Sequence, residues 1–247
     1  MYLIDRYAQT NRFRRIPAVE KLALALGAMI VALSTDSHAA LSVILLSAIS
    51  VILPVIGVRS IDLVRAASVP MGFILVSTAA QATSLNPAAP FPYLSWTEAT
   101  FLPAILVALR SISCVFVLLA LAFSTPLNDI IRLLRRSAIG RDIGDIALAM
   151  WQFIWITLHS LETGIAAQTN RLGFIGYRRS LRSMGQLLAA LLPRSLARAR
   201  RLEIGLSARG FDGELRFLTP TAPVSPARCL TYGVVLMGIW TLGRVLV

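Results

Sequence analysis

Residues 39–58, AALSVILLSAISVILPVIGV, carry no charged side chain over twenty positions. A helix needs roughly 17–25 mostly apolar residues to cross a bilayer, so this one run excludes most soluble folds. Comparable apolar runs recur at 18–35, 66–85, 99–124 and 229–246. Charged residues make up only 15% of the chain, where soluble domains hold about 25%, and the mean hydropathy is +0.72. The pattern predicts an all-α membrane protein with about five transmembrane helices, joined to a cytoplasmic domain of amphipathic helices.

The basic residues give that prediction a direction. Lysine and arginine number 24 and the net charge is +12, with Lys21 the sole lysine. Such a charge can attract nucleic acid or anionic lipid, but segregation of arginine to cytoplasmic connections accounts for it without nucleic acid. Arg6, Arg12, Arg14 and Arg15 mark the N-terminus as inside. A polar, arginine-rich 1–15 also leaves no place for a cleavable signal peptide. Asp36-Ser37-His38 has no arginine and is expected outside. Arg59 and Arg65 return the chain inside, and the proline-rich loop 86–98, with Phe91, Tyr93 and Trp96, belongs outside.

The stretch 145–168 is apolar enough to be mistaken for a span. Crossing there would expel the ten arginines between Arg171 and Arg216. It is therefore expected to be a long helix that dips into or lies along the inner leaflet and ends at Arg171. The predicted organisation is a four-span region at 1–124, a cytoplasmic helical domain at 125–218, a proline-rich linker at 219–227 and a last span at 228–247.

Within the cytoplasmic domain, Leu181, Met184, Leu188 and Leu191 form one apolar helix face, and Pro193 is expected to end that helix. A second amphipathic helix then follows, with Leu196, Ala199, Leu202 and Leu206 opposed to Arg194, Arg198 and Arg201. It stops at Ala208-Arg209-Gly210, where glycine can take the left-handed conformation. Arg171, followed by Leu172-Gly173, repeats that placement upstream. The two ends read either as a pair of grips for another protein or as ordinary helix termini on a solvated face.

Arg110 lies inside the run 99–124, where a central arginine costs roughly 2.5–3.5 kcal/mol on insertion scales. Either it faces the bundle or a partner as a buried-charge contact, or its side chain snorkels outward. Cys114 and Cys229 have neither disulfide nor metal spacing. His38 and His159 are the only histidines, and His38 with Asp36 makes too few ligands for a selective metal site. No phosphate-binding loop, G-x-S-x-G or HExxH motif occurs, so catalysis and a resident cofactor have no support.

Several of these residues together resemble the transmembrane coupling component of energy-coupling-factor transporters, in particular the CbiQ type of cobalt uptake systems. The match lies in Arg200-Arg201-Leu202-Glu203 leading to Ala208-Arg209-Gly210-Phe211-Asp212-Gly213, and upstream in Ala167-Gln168 through Arg171. Ile4-Asp5-Arg6-Tyr7, Pro17, Lys21 and Ser124-Thr125-Pro126 are also similar. The upstream motif departs from Ala-Arg-Gly, being Asn170-Arg171-Leu172.

The resemblance implies a non-catalytic subunit of a bacterial inner-membrane importer. Two ATPase subunits, or a homodimer, would hold ATP and magnesium and bind Arg171 and the Ala208-Arg209-Gly210 element. A separate substrate-binding membrane subunit, with a small accessory membrane protein, would complete the complex. The same scaffold serving nickel or a vitamin, or a stand-alone membrane protein whose basic helices bind lipid or a regulator, are the competing readings.

Overall fold

The computed structural model describes residues 2–11, 13, 16–82, 84–85, 94–95, 98–135, 141–211 and 225–245. Arg12, Arg14 and Arg15, most of the loop 86–98 expected outside, the Asp212-Gly213 end of the arginine motif and the linker up to 224 lie outside the described residues. The chain divides into two units, Met1–Ile130 with Pro220–Val247, and Ile131–Thr219.

In the first unit α1 (Tyr2–Thr10) precedes four long helices: α2 (Ala18–Ser34), α3 (His38–Ser50), α4 (Ser60–Ala82) and α5 (Glu98–Ser124). α9 (Pro226–Val245) joins them from the far end of the chain. Among the described residues His38–Ile56, Ser60–Ala82 and Phe101–Ser124 are long and apolar enough to cross a membrane. α2, with 17 residues, and α9, with 20, complete a bundle of five.

Several boundaries differ from the expected ones. The run 39–58 is not uniform: α3 widens into a π-helical turn, Val51–Ile56, around Pro54. Proline has no N–H to keep the regular ladder, and a wider turn accommodates the missing bond. The third span starts six residues earlier than 66, so Asp62 and Arg65 are helical. The N-terminal stretch holds a helix of its own, tied down by Tyr7, whose hydroxyl donates to Asp62 Oδ2 at 2.8 Å and whose ring meets Phe123 edge-on.

α5 is the hub, packed on α1, α2, α3 and α4. One core gathers Ala25, Ala32, Leu41, Ile44, Ala48 and Val117; a second gathers Ile52, Ile56, Val58, Leu63 and Phe123. α9 seats on α2 and α3 through small residues. A Cβ on Gly27 would lie 2.7 Å from Leu236 Cδ1, and one on Gly243 would lie 2.6 Å from Thr35 Cγ2. Close approach through glycine is a usual way for helices to pack in lipid, where dispersion replaces the hydrophobic drive. Val69, Phe73 and Val76 of α4 share one outward stripe and are each more than 70% exposed. Hydrocarbon or a partner must cover such a stripe.

The second unit is built on α7 (Arg141–Asn170) and α8 (Tyr177–Ser207), with α6 (Leu127–Arg135) leading towards it. The expected helix over 145–168 is thus a single 30-residue helix. The expected break at Pro193 does not occur. α8 continues through it for 31 residues, so the two amphipathic helices predicted here are one. Good helix formers flank the proline (Ala189, Ala190, Leu191 and Leu192 before, Leu196, Ala197 and Ala199 after), and their preference offsets an interior proline's cost of about 3 kcal/mol.

Candidate functional site

α7 and α8 run antiparallel, joined by 171–176. A Cβ on Gly164 would come within 2.7 Å of Leu187 Cδ2, and buried Ser183 donates its hydroxyl to the Gly173 carbonyl at 2.8 Å. These contacts fix where α7 ends relative to α8.

The terminal turns of the two helices are the same motif. At α7, Arg171 N–H donates to Gln168 O (3.2 Å), Leu172 N–H to Thr169 O (3.0 Å) and Gly173 N–H to Gln168 O (2.8 Å). At α8, Arg209 N–H donates to Leu206 O (3.0 Å), Gly210 N–H to Ser207 O (3.1 Å) and Phe211 N–H to Leu206 O (3.1 Å). Leu172 (φ 59) and Gly210 (φ 74) both sit in the left-handed region. This pairing of a 6→1 and a 5→2 bond around a left-handed residue is the Schellman ending. Arg171 and Arg209 occupy equivalent places, each immediately before the left-handed residue. The departure Asn170-Arg171-Leu172 therefore keeps the register of Ala208-Arg209-Gly210, with Asn170 where Ala208 stands.

Electrostatics favours a cation at both places, because the last carbonyls of each helix carry the negative end of its dipole. Both arginines are exposed. α8 beyond Ser195 has little packing within the chain: Leu196, Leu202 and Ile204 are exposed, and only Leu206 is half-buried among residues 196–211. Because the Ser183–Gly173 bond sets the first turn beside Ser183, at 1.5 Å per residue of α8 the two arginine turns lie roughly 40 Å apart. A single small pocket cannot hold both.

The other sequence-predicted contact lies in the first unit. Arg110 Nη2 donates to Asp36 Oδ1 at 2.7 Å and to the Thr35 carbonyl at 3.0 Å. The guanidinium thus reaches the α2–α3 turn, and the carboxylate it meets is 73% exposed. His38 and His159 are both exposed and lie on different helices. Among the described residues no three of His, Cys, Asp and Glu cluster as metal ligands would.

Sequence reasoning missed two features. Leu172 adopts a conformation that bulky residues normally avoid, and no sequence signal marks it, because Gly173 is the residue that invites the left-handed assignment. The second is a polar clamp at the start of α2. Glu20, with 0% of its side chain exposed, faces Arg228, whose Nε stands 3.0 Å from Oε2; Lys21 donates to the Ser124 carbonyl at 2.8 Å. Adjacent opposite charges at the edge of a span were the visible hint, but their partners lie more than one hundred residues away.

The comparisons with known proteins agree with this architecture. The family described as "CbiQ: Cobalt transport protein" matches residues 9–219. The cobalt transport protein CbiQ of Rhodobacter capsulatus is 33% identical over 226 residues, covering 90% of each chain. The Salmonella typhimurium protein of the same name is 29% identical over 105 residues, 42% of this chain and 47% of that one. With the family match running through most of the membrane unit and the whole α7–α8 pair, the chain belongs to the CbiQ family of cobalt transport proteins.

Proposed function

We propose that this chain is the non-catalytic transmembrane coupling subunit of an ATP-driven cobalt importer of the energy-coupling-factor kind. The observation that supports the reading best is the repetition of one helix ending, with an exposed arginine in the same place, at opposite ends of α8. Two equivalent grips roughly 40 Å apart suit two ATPase subunits, or the two halves of a homodimer. Arginine suits the grip because it stays charged and pairs with a carboxylate through two parallel hydrogen bonds. ATPase closure would move both ends of a rigid hairpin, and the exposed apolar residues of α8 would pass that motion to a substrate-binding membrane subunit. ATP and magnesium would belong to the ATPase subunits, and a small accessory membrane protein would complete the complex.

The chain would sit in the bacterial inner membrane with its N-terminus and α7–α8 inside. A reporter fused within 219–226 is then expected to read inside and one after Val247 outside; the reverse at 219–226 would sink the reading. Cargo recognition would lie on the separate substrate-binding subunit. By calorimetry the isolated chain should bind Co2+ no better than its His38→Ala, His159→Ala form, and a tight histidine-dependent site would overturn that assignment. The decisive test is attachment: an ATPase pair should co-purify with the chain, and the Arg171→Ala, Arg209→Ala double variant should lose both that pair and cobalt uptake while still inserting.

A further inference from the structure

Residues 131–219 form a unit inserted into the rest of the chain, since residues 1–130 and 220–247 belong together. Two backbone connections therefore join the units, one after α5 and one before α9. Among the described residues, the membrane-unit end of each, Ser124 and Ser225, is held by one of two consecutive residues of α2. After α5, Lys21 Nζ donates to the carbonyl of Ser124, the last residue of that helix, at 2.8 Å. The carboxylate of Asp129, in the first turn of α6, attracts the same ammonium. Before α9, the Ser225 N–H donates to Glu20 Oε1 at 2.8 Å, and Arg228 Nη2 donates to that oxygen at 3.2 Å. Successive helical residues point about 100° apart, which lets one dipeptide face both connections.

The chemistry is expensive for a mere packing contact. A fully buried carboxylate needs a partner and hydrogen bonds to offset its desolvation, and an apolar residue in its place is often equally stable. What Glu20 and Lys21 provide that apolar packing does not is attachment to specific atoms of the two connecting segments.

We propose that Glu20 and Lys21 are positioning residues for coupling: they tie both connections of the inserted unit to α2, so that motion of 131–219 moves the membrane bundle. Without the ties the connections would absorb that motion. The inference rests on the coupling reading above.

The test uses the complete transporter reconstituted in vesicles, with cobalt uptake and ATP hydrolysis measured on the same preparation. Glu20→Met and Lys21→Met should keep the ATPase pair attached and hydrolysing, while cobalt taken up per ATP falls about fivefold or more, the low end of ordinary coupling free energies. Lys21→Arg, which keeps the donor, should restore the ratio. If Glu20→Met does not insert, Arg228→Met removes the guanidinium half of that tie from its half-exposed side, leaving the Ser225 N–H bond, and the ratio should still fall. An unchanged uptake-to-hydrolysis ratio, or loss of the ATPase pair itself, in the inserted variants would overturn the proposal. A wild-type chain that never holds an ATPase pair would instead sink the coupling reading, so the two failures are distinguishable.

Discussion

The ends of α7 and α8 make the same three hydrogen bonds and present arginine at the same place, yet their glycines serve different physical ends. At α8 the glycine takes the left-handed position itself: Gly210 has φ 74, and a Cβ there would meet nothing within 4 Å. Its requirement is conformational. At α7 the glycine comes one residue later and does not have positive φ. A Cβ on Gly173 would lie 2.8 Å from Ser183 Oγ and 3.0 Å from the Gln168 carbonyl. That requirement is spatial, imposed by the seat of α7 on α8, and Leu172 is left to adopt the left-handed turn. One ending is locally encoded; the other is held by tertiary contact.

If both endings exist to present an arginine, removing either arginine should give the largest effect. Truncating one member of a buried charge pair across an interface costs roughly 2–5 kcal/mol, a factor of tens to thousands in affinity. Arg171→Ala and Arg209→Ala are each expected to weaken ATPase co-purification by that order. Arg198→Ala, on the exposed flank of α8, should cost about 1 kcal/mol or less. Equal losses at all three positions, at matched membrane levels, would mean a diffuse basic surface that answers to lipid or a regulator.

The next largest effect separates the two glycines. Gly173→Ala forces a backbone carbonyl and the Ser183 contact to move, and overpacking of this kind costs roughly 1–3 kcal/mol. Limited proteolysis in 171–176 should accelerate and thermal unfolding should come earlier. Gly210→Ala meets open space and carries only the left-handed penalty, roughly 1–2 kcal/mol, partly offset by a less flexible unfolded chain. Its effect should be confined to faster amide exchange at Gly210 and Phe211. Should Gly173→Ala behave as mildly as Gly210→Ala, the spatial account of the first ending is wrong.

What could be read ahead of the structure follows the same division. Apolar runs and arginine placement located the five helices of the membrane bundle and the long helix ending at Arg171, because both signals are local. Gly210 was legible for the same reason. Pro193 misled: its cost is local too, but the formers on either side keep α8 whole. Leu172 was hidden because its φ is set by Gly173 and Ser183, one on the next element. The partners of Glu20 were hidden by distance, Arg228 lying 208 residues away.

The smallest expected effect is also the sharpest probe of the comparison. Leu172 is 62% exposed and holds φ 59, a conformation that costs an L-residue roughly 1–2 kcal/mol. Leu172→Gly removes that cost and makes the upstream end read Asn-Arg-Gly, closer to its counterpart. The added freedom of glycine in the unfolded chain takes back roughly 0.4–1 kcal/mol, so the net gain should lie between zero and about 1.6 kcal/mol, seen as a thermal midpoint raised by a few degrees. ATPase attachment decides what the leucine is for. If the turn serves only to place Arg171, Leu172→Gly should leave co-purification unchanged, because all three terminal bonds are made by backbone atoms. A more stable variant that binds the ATPase pair less well would show that the two endings are not equivalent, and that the leucine side chain itself touches the partner.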